Sequence, residues 1–441
     1  MGDFIDWQVP SSTVTWLERM PADLPVAMLI RHSVRPPLRA GEEGFTLPIT
    51  DDGIRIARSL GQRISGRLRS LSASPVLRCV QTAVEIGVGA GTNLPTQPDT
   101  TLGHPGIYVL DGELAYRNWE KSDHESVMAK LVSADHALPG MTLPEFAARY
   151  LVHHMLAKAR GSPGLHVFVT HDSLVTATVA RLAGVCLGKR DWPWYLEAAF
   201  FWRDCEGLHT VYREYRRTRG EAQLVGLNET DVIEFAKWDL TPIVGSECPA
   251  RFFFAGGAFK ALLNGRRPRD LDLWAPSPED RAALIKTLVE RGAVVLPERA
   301  YSEAFRIGNR VLEIQRKTEP GTLEARLARF DIGLSAVGVE HRPDSYWRAV
   351  IEPLAIESVE RREILLLKPL TNWKHVLSTI GRMRKYAADL CYTLPPDEEA
   401  NAWRVFEQQD AEMQRGMLQR FDNAADQGWG VREEAICRLR R

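Results

Sequence analysis

The chain has 441 residues, 44% of them hydrophobic and 26% charged, the composition of a folded globular protein too long for one ordinary core, so two or three domains are expected. The net charge is −1 and is balanced in both halves, so a long nucleic-acid duplex is not an expected partner, although such totals do not register a small local basic patch. No apolar run reaches the ~18 residues of a membrane span, the opening MGDFIDWQVPSS has neither the basic stretch nor the apolar core of a signal peptide, and six cysteines without CxxC or metal-ligand spacing read as the reduced thiols of a cytoplasmic protein.

From 25 to 212, strand-like apolar runs alternate with amphipathic helical patterns. Val26–Ile30, Leu71–Ala73, His166–Thr170 and Phe200–Trp202 read as strands, and DDGIRIARSLGQRISGRL and TLPEFAARYLVHHMLAKA as helices. That order predicts an α/β fold, a parallel sheet with helices on both faces. The first strand stops on Arg31 and His32 and leads to Arg35; a later one stops on His171 and Asp172. Ligands of open parallel sheets sit at the carboxyl ends of the strands, so these five residues line one edge. Arginine forks match phosphoryl oxygens, a neutral imidazole attacks phosphorus, and a carboxylic acid protonates the leaving oxygen. Arg78 in SASPVLRCVQTA joins them, with Ser74–Pro75 expected to open a helix whose free N–H groups favour an anion. Glu113 in VLDGELAY is the rival acid. His153 and His154, on a helix with no carboxylate partner in view, read as non-functional, and Trp192 and Trp194 in RDWPWYLEAAF read as core or interface packing before they read as caps of the pocket.

The stretch 213–250 reads as a linker. Beyond it, FFFAGGAFKALLNGRRPRDLDLW places a strand, a Gly256–Gly257 turn and a short helix ahead of Asp270 and Asp272. The turn allows close backbone approach, and the helix start suits a triphosphate. On a strand, Asp270 and Asp272 share one face; Mg²⁺, which prefers oxygen ligands and phosphates, gives two like charges a reason to converge. The third carboxylate is Glu313 in NRVLEIQRK or Asp331 in RFDIGLS, with Glu313 favoured. Arg266, Arg267 and Arg269 are candidates to touch the triphosphate. From about 345 to the end the pattern is mainly helical.

LIRHSVR, ITDDGIRIARSLG, SASPVLRCVQTA and VFVTHDS, in this order over roughly 24–215, resemble the histidine phosphatase superfamily. The resemblance implies a three-layer αβα phosphoglycerate-mutase-like domain. It makes His32 the phosphorylated nucleophile, has Arg31, Arg35, Arg78 and His171 hold the phosphoryl oxygens, and requires no cofactor. Ser33 stands where the family usually has glycine. The pair His171–Asp172 is similar to the acid-phosphatase branch, which makes Asp172 the proton donor. The GG…DLDLW pattern with RFDIGLSAVGV and STIGRMRKYAADLCYTLP, over roughly 250–395, resembles the nucleotidyltransferase superfamily that includes polymerase beta and the CCA-adding enzymes. It implies an α+β domain with a helical C-terminal region, two Mg²⁺, a nucleoside triphosphate, and attack on the α-phosphorus with pyrophosphate leaving. The expected division is 1–225 phosphatase, 226–344 nucleotidyltransferase and 345–441 helical. The expected protein is a bifunctional enzyme acting on a phosphorylated small-molecule substrate, which the near-neutral charge favours. The alternatives are an RNA end that is dephosphorylated and extended, or one silent, regulatory domain.

Overall fold

In the computed structural model, which describes residues 6–38, 44–220, 223–297, 299, 301–424 and 428–439, the chain divides into two units, Met1–Val225 and Gly226–Arg441. The first is built on strands β1 (Pro25–Arg31), β2 (Leu68–Ala73), β3 (Thr96–Pro98), β4 (Gly164–Thr170), β5 (Ala198–Asp204), β6 (Gly207–Tyr212) and β7 (Tyr215–Arg219), in the order β3-β2-β4-β1-β5-β6-β7. β3, β2, β4 and β1 are parallel, as the alternating pattern predicts, while β5 runs against β1 and continues as an antiparallel meander. A buried apolar run has no sign of its direction, so the reversal at β5 is invisible in the residues.

Alternation along β1 serves two layers. Val26, Met28 and Ile30 enter a core with Val167, Leu60 and Ile86. Ala27 and Leu29, on the other face, are equally buried, and the helices Pro144–Ala159 and Asp172–Ala183 pack on this strand. The helix Asp51–Ile64 starts where the Thr50 side chain accepts from the Gly53 amide, with Asp51 and Asp52 complementing the dipole.

The stretch 213–250 is not a linker. It holds β7 and a 16-residue helix, Glu229–Val244, which buries Val232, Phe235, Ala236, Leu240 and Ile243 at helical spacing. The second unit is a sheet of β8 (Phe252–Ala255), β9 (Asp270–Trp274), β10 (Val294–Val295), β11 (Ser302–Ile307), β12 (Arg310–Gln315), β13 (Val337–His341) and β14 (Trp347–Ile351), in the order β10-β11-β12-β9-β8-β13-β14. Only the β9–β12 pair is parallel. β14 lies past 345, so the helical stretch begins at Pro353 and continues through Val376–Leu390, Pro396–Glu407, Ala411–Asp422 and Val431–Leu439. No described helix is long and apolar enough to cross a membrane.

Candidate active sites

At the carboxyl ends of β1 and β4 the chain assembles a cationic pocket. The His32 amide donates to the Thr170 carbonyl at 2.9 Å, locking the two strand ends together. His32 Nδ1 lies 2.8 Å from the Ser33 carbonyl, which only accepts, so Nδ1 carries the proton and Nε2 presents a lone pair. Arg78 Nε donates to that Nε2 at 3.1 Å. Arg78 also reaches His171 Nδ1 at 3.3 Å and the Gly44 carbonyl at 2.7 Å. The two imidazole rings stand 5.7 Å apart. Burial, the His171 ring and the neighbouring arginines hold the His32 pKa well below its ordinary value; burial and Arg78 pull His171 down to about 3. Both imidazoles are therefore neutral at neutral pH, the form a nucleophile needs.

Arg31 donates to the Pro193 carbonyl at 2.7 Å, pairs with Asp172 at 3.0 Å, and lies over the Tyr195 ring at 4.3 Å. The Nε atoms of Arg31 and Arg35 are buried without a hydrogen-bond partner. A buried donor left unmade is costly, and two of them beside two neutral imidazoles suit an incoming anion. Asp172, first residue of its helix, accepts from the Ser173 amide at 2.8 Å. Burial pushes its pKa up, but Arg31 and that amide outweigh it and hold the carboxyl below the ordinary range. Glu113 is exposed and paired with Arg117 on its own helix.

Local sequence explains the assembly. A Cβ at position 53 would lie 2.4 Å from the Val34 carbonyl oxygen, so only glycine lets the helix Asp51–Ile64 close on the Arg31–Arg35 loop. Ser33 fits in place of glycine because its hydroxyl turns away and donates to the Gly53 carbonyl at 2.7 Å. The helix carrying Arg78 starts at Leu77, not at Ser74–Pro75. Its first amide donates to the Phe45 carbonyl and Ser74 Oγ lies 3.3 Å from His171 Nε2, so Ser74 orients an imidazole and does not cap the helix. Cys79 touches both His171 nitrogens at 3.8–3.9 Å, but burial pushes its thiol up to about 12, which leaves it unreactive.

His154 does have a carboxylate partner. Its Nε2 lies 2.7 Å from Asp99, which Lys158 also holds; a sequence separation of 55 hid the pair. Tyr195 and Pro193 escaped the sequence reading as well, because a ring face and a carbonyl leave no motif. Trp194 is not core: it is 63% exposed. Among the described residues one trio, Asp204, Glu206 and His209, clusters as metal ligands do. Both His209 nitrogens are engaged, by Asp204 and Thr218, and its ring stacks on Trp202, so it ties a hairpin together.

In the second unit, β9 and β12 set Asp272 opposite Glu313 and Asp270 opposite Val311. Leu271, Leu273, Leu312 and Ile314 are fully buried, so the carboxylates of Asp272 and Glu313 share the opposite face. The side chain of Asp270 lies outside the described part. The β8–β9 register, Phe253 with Trp274 and Phe254 with Leu273, brings the Gly256–Gly257 turn toward the end of β9 that holds the aspartates. Gly256 has a φ of 92°, a conformation that favours glycine, and a Cβ at Gly257 would meet the Tyr386 hydroxyl at 2.3 Å. Gln315 donates to Asp272 at 3.3 Å, Ser302 donates to Glu313 at 2.7 Å, and Arg299 pairs with Glu313. Asp331 is buried and bound by Thr379 and Arg382. Arg267 turns to the buried Asp239, which Arg310 shares, and stacks over Trp238 at 4.1 Å. Arg269 is exposed on the loop before β9. Hard carboxylate oxygens on neighbouring strands are a donor set that fits Mg²⁺; Glu313 is paired with Arg299 in this structure.

The family model described as "Histidine phosphatase superfamily (branch 1)" matches residues 28–199. The first unit therefore carries a histidine phosphatase domain. No curated protein matches. Among solved structures, the chain is similar to a tRNA-processing enzyme with CTP (19% identity, TM-score 0.31, covering 43% of this chain and 51% of that one). It is also similar to a tRNA nucleotidyltransferase complexed with a primer tRNA and an ATP analog (18%, 0.33, 43% and 57%), and to a Thermotoga maritima CCA-adding enzyme complexed with tRNA (13%, 0.31, 46% and 49%). The chain spans about half the length of these structures, and the second unit is read from its own geometry.

Proposed function

We propose that the first unit is a metal-independent phosphomonoesterase working through a phosphohistidine at His32. The observation that carries this reading is the neutral His32 with its Nε2 lone pair turned into a cage of Arg78, His171, Arg31 and Arg35. His32 Nε2 forms a bond to phosphorus as the bond to the ester oxygen breaks, and Asp172 gives that oxygen its proton. Water then attacks the phosphohistidine, Asp172 takes a proton from the water, and phosphate leaves. The test is His32→Ala. It should abolish hydrolysis of a generic phosphomonoester and the acid-labile ³²P label on the quenched protein, and leave nucleotidyl transfer intact. Hydrolysis near the wild-type rate sinks the assignment.

For the second unit we propose nucleotidyl transfer from a nucleoside triphosphate. Its support is the register that puts Glu313 beside Asp272, with the glycine turn near the same strand end. Asp270, Asp272 and Glu313 would hold Mg²⁺, which neutralises developing charge on the triphosphate. The Gly256–Gly257 turn would offer its backbone to the phosphates, with Arg269 on the exposed loop before β9. The acceptor is assayed as two arms. A phosphorylated small molecule is supported only by the near-neutral charge, and an RNA 3′ end is tested beside it because the solved structures above are named for tRNA processing.

A further inference from the structure

Next to the phosphoryl pocket a groove of about 630 Å³ is lined by Trp7, Trp16, Trp194 and Tyr195. Tyr195 belongs to both. Arg31 lies over its ring at 4.3 Å, the His32 ring is 5.7 Å away, and Trp7 meets its edge at 5.5 Å. The groove and the pocket meet at the carboxyl end of β1. The Leu196 amide donates to the Arg31 carbonyl at the tip of β1, and Thr13 of the helix Ser11–Arg19 donates to the Leu196 carbonyl. The walls are fixed in place. The Trp194 amide donates to the buried Glu197 at 2.9 Å, Glu197 also takes Ser12 and Arg213, and the Trp16 indole N–H donates to the Arg213 carbonyl at 2.7 Å.

Phosphoryl transfer to His32 uses none of the three tryptophans. Yet Trp194 is held 63% exposed, where water gains nothing from it. The volume is that of a small-ligand site. Ring walls one side chain from the reacting phosphorus are suited to a flat heteroaromatic group stacked on them, and Gln8 and Thr15 put an amide and a hydroxyl on the same lining.

We propose that this groove is the leaving-group subsite of the phosphatase and takes the base of a nucleoside monophosphate. The inference rests on the phosphatase reading of His32 and deepens it by naming the substrate class. The readout is the ratio of kcat/KM for adenosine 5′-monophosphate to that for ribose 5-phosphate, measured on the full chain. Stacking on one aromatic side chain is worth about tenfold or more, so the wild-type ratio should be at least about ten and lie in KM. Trp194→Ala should bring the ratio close to one, and Trp194→Phe should restore most of it. A wild-type ratio near one, or an unchanged ratio in Trp194→Ala, overturns the proposal. If neither ester is hydrolysed, the phosphatase reading has failed by itself, and adenosine quenching of tryptophan fluorescence still tests the groove. Weaker quenching in Trp194→Ala, with Kd raised about tenfold, upholds a base site there; equal Kd values overturn it.

Discussion

Asp172 shows how one side chain can need two charge states. In the free site it faces Arg31 at 3.0 Å and is held ionised, whereas a proton donor must arrive protonated. A phosphoryl dianion drawn to Arg31 competes for the guanidinium and adds negative charge beside the carboxylate, and both effects raise its pKa. The donor role proposed for Asp172 would therefore be created by substrate. A general acid contributes ~10²–10⁴-fold, and only where the leaving group needs help. Asp172→Asn should slow an alkyl phosphate by that order and p-nitrophenyl phosphate far less. In the wild type, kcat for the alkyl ester should fall as pH rises through the substrate-raised pKa, which belongs to the bound complex, while the activated ester stays level. Equal slowing of both substrates, or a leaving-group effect confined to Glu113→Gln, assigns the acid elsewhere. His32, His171 and Asp172 were legible because a buried strand that ends on charged groups has few structural excuses. Tyr195 and Pro193 were not, since they act through a ring face and a backbone carbonyl.

At the scale of elements, what was legible depended on sequence distance. The strands β1 and β4 and the helix Asp51–Ile64 show their periodicities locally. The pairing of β9 with β12 skips β10 and β11, so no local pattern announces that Glu313 stands beside Asp272. That pairing also separates the two candidate carboxylates. Glu313 shares a face with Asp272, whereas Asp331 is bound to Thr379 and Arg382 of the helix Val376–Leu390. Glu313→Gln should cut nucleotidyl transfer at least about a hundredfold with little change in Tm. Asp331→Asn should destabilise by about 1–3 kcal/mol, because it leaves a polar network short of its acceptor, and activity should follow the folded fraction. The reverse pattern would reassign the third carboxylate. In the first unit, Gly53→Ala should lower phosphatase kcat/KM by more than tenfold, since its Cβ would strike the Val34 carbonyl. Gly66→Ala, with nothing within 4 Å of the added atom, serves as the control.

On the scale of the whole chain, the functions proposed above have the two units hold phosphate by two different means, and that difference is measurable. The first does so with arginines and neutral imidazoles, whose strength comes from charge-assisted hydrogen bonds. Its buried histidines also tie it to pH. With His171 lowered to about 3 and His32 lowered too, an unfolded chain binds protons below about pH 6.5 that the folded unit refuses. The stability they confer is therefore present above pH 6.5 and lost as pH falls toward 3, at up to about 1.4 kcal/mol per unit for each histidine. Thermal melts from pH 7.5 to 4.5 should show this, with a smaller slope in His171→Asn. In the proposed transfer the second unit would instead rely on carboxylates, and carboxylates repel a triphosphate unless a cation stands between them. EDTA should therefore stop nucleotidyl transfer and spare phosphomonoester hydrolysis at the same concentration, and added Mg²⁺ should restore the transfer. Asp272→Asn should reproduce the effect of EDTA with metal present, leaving hydrolysis within about twofold. Should chelation silence both activities together, or neither, the division of labour between the two units is wrong.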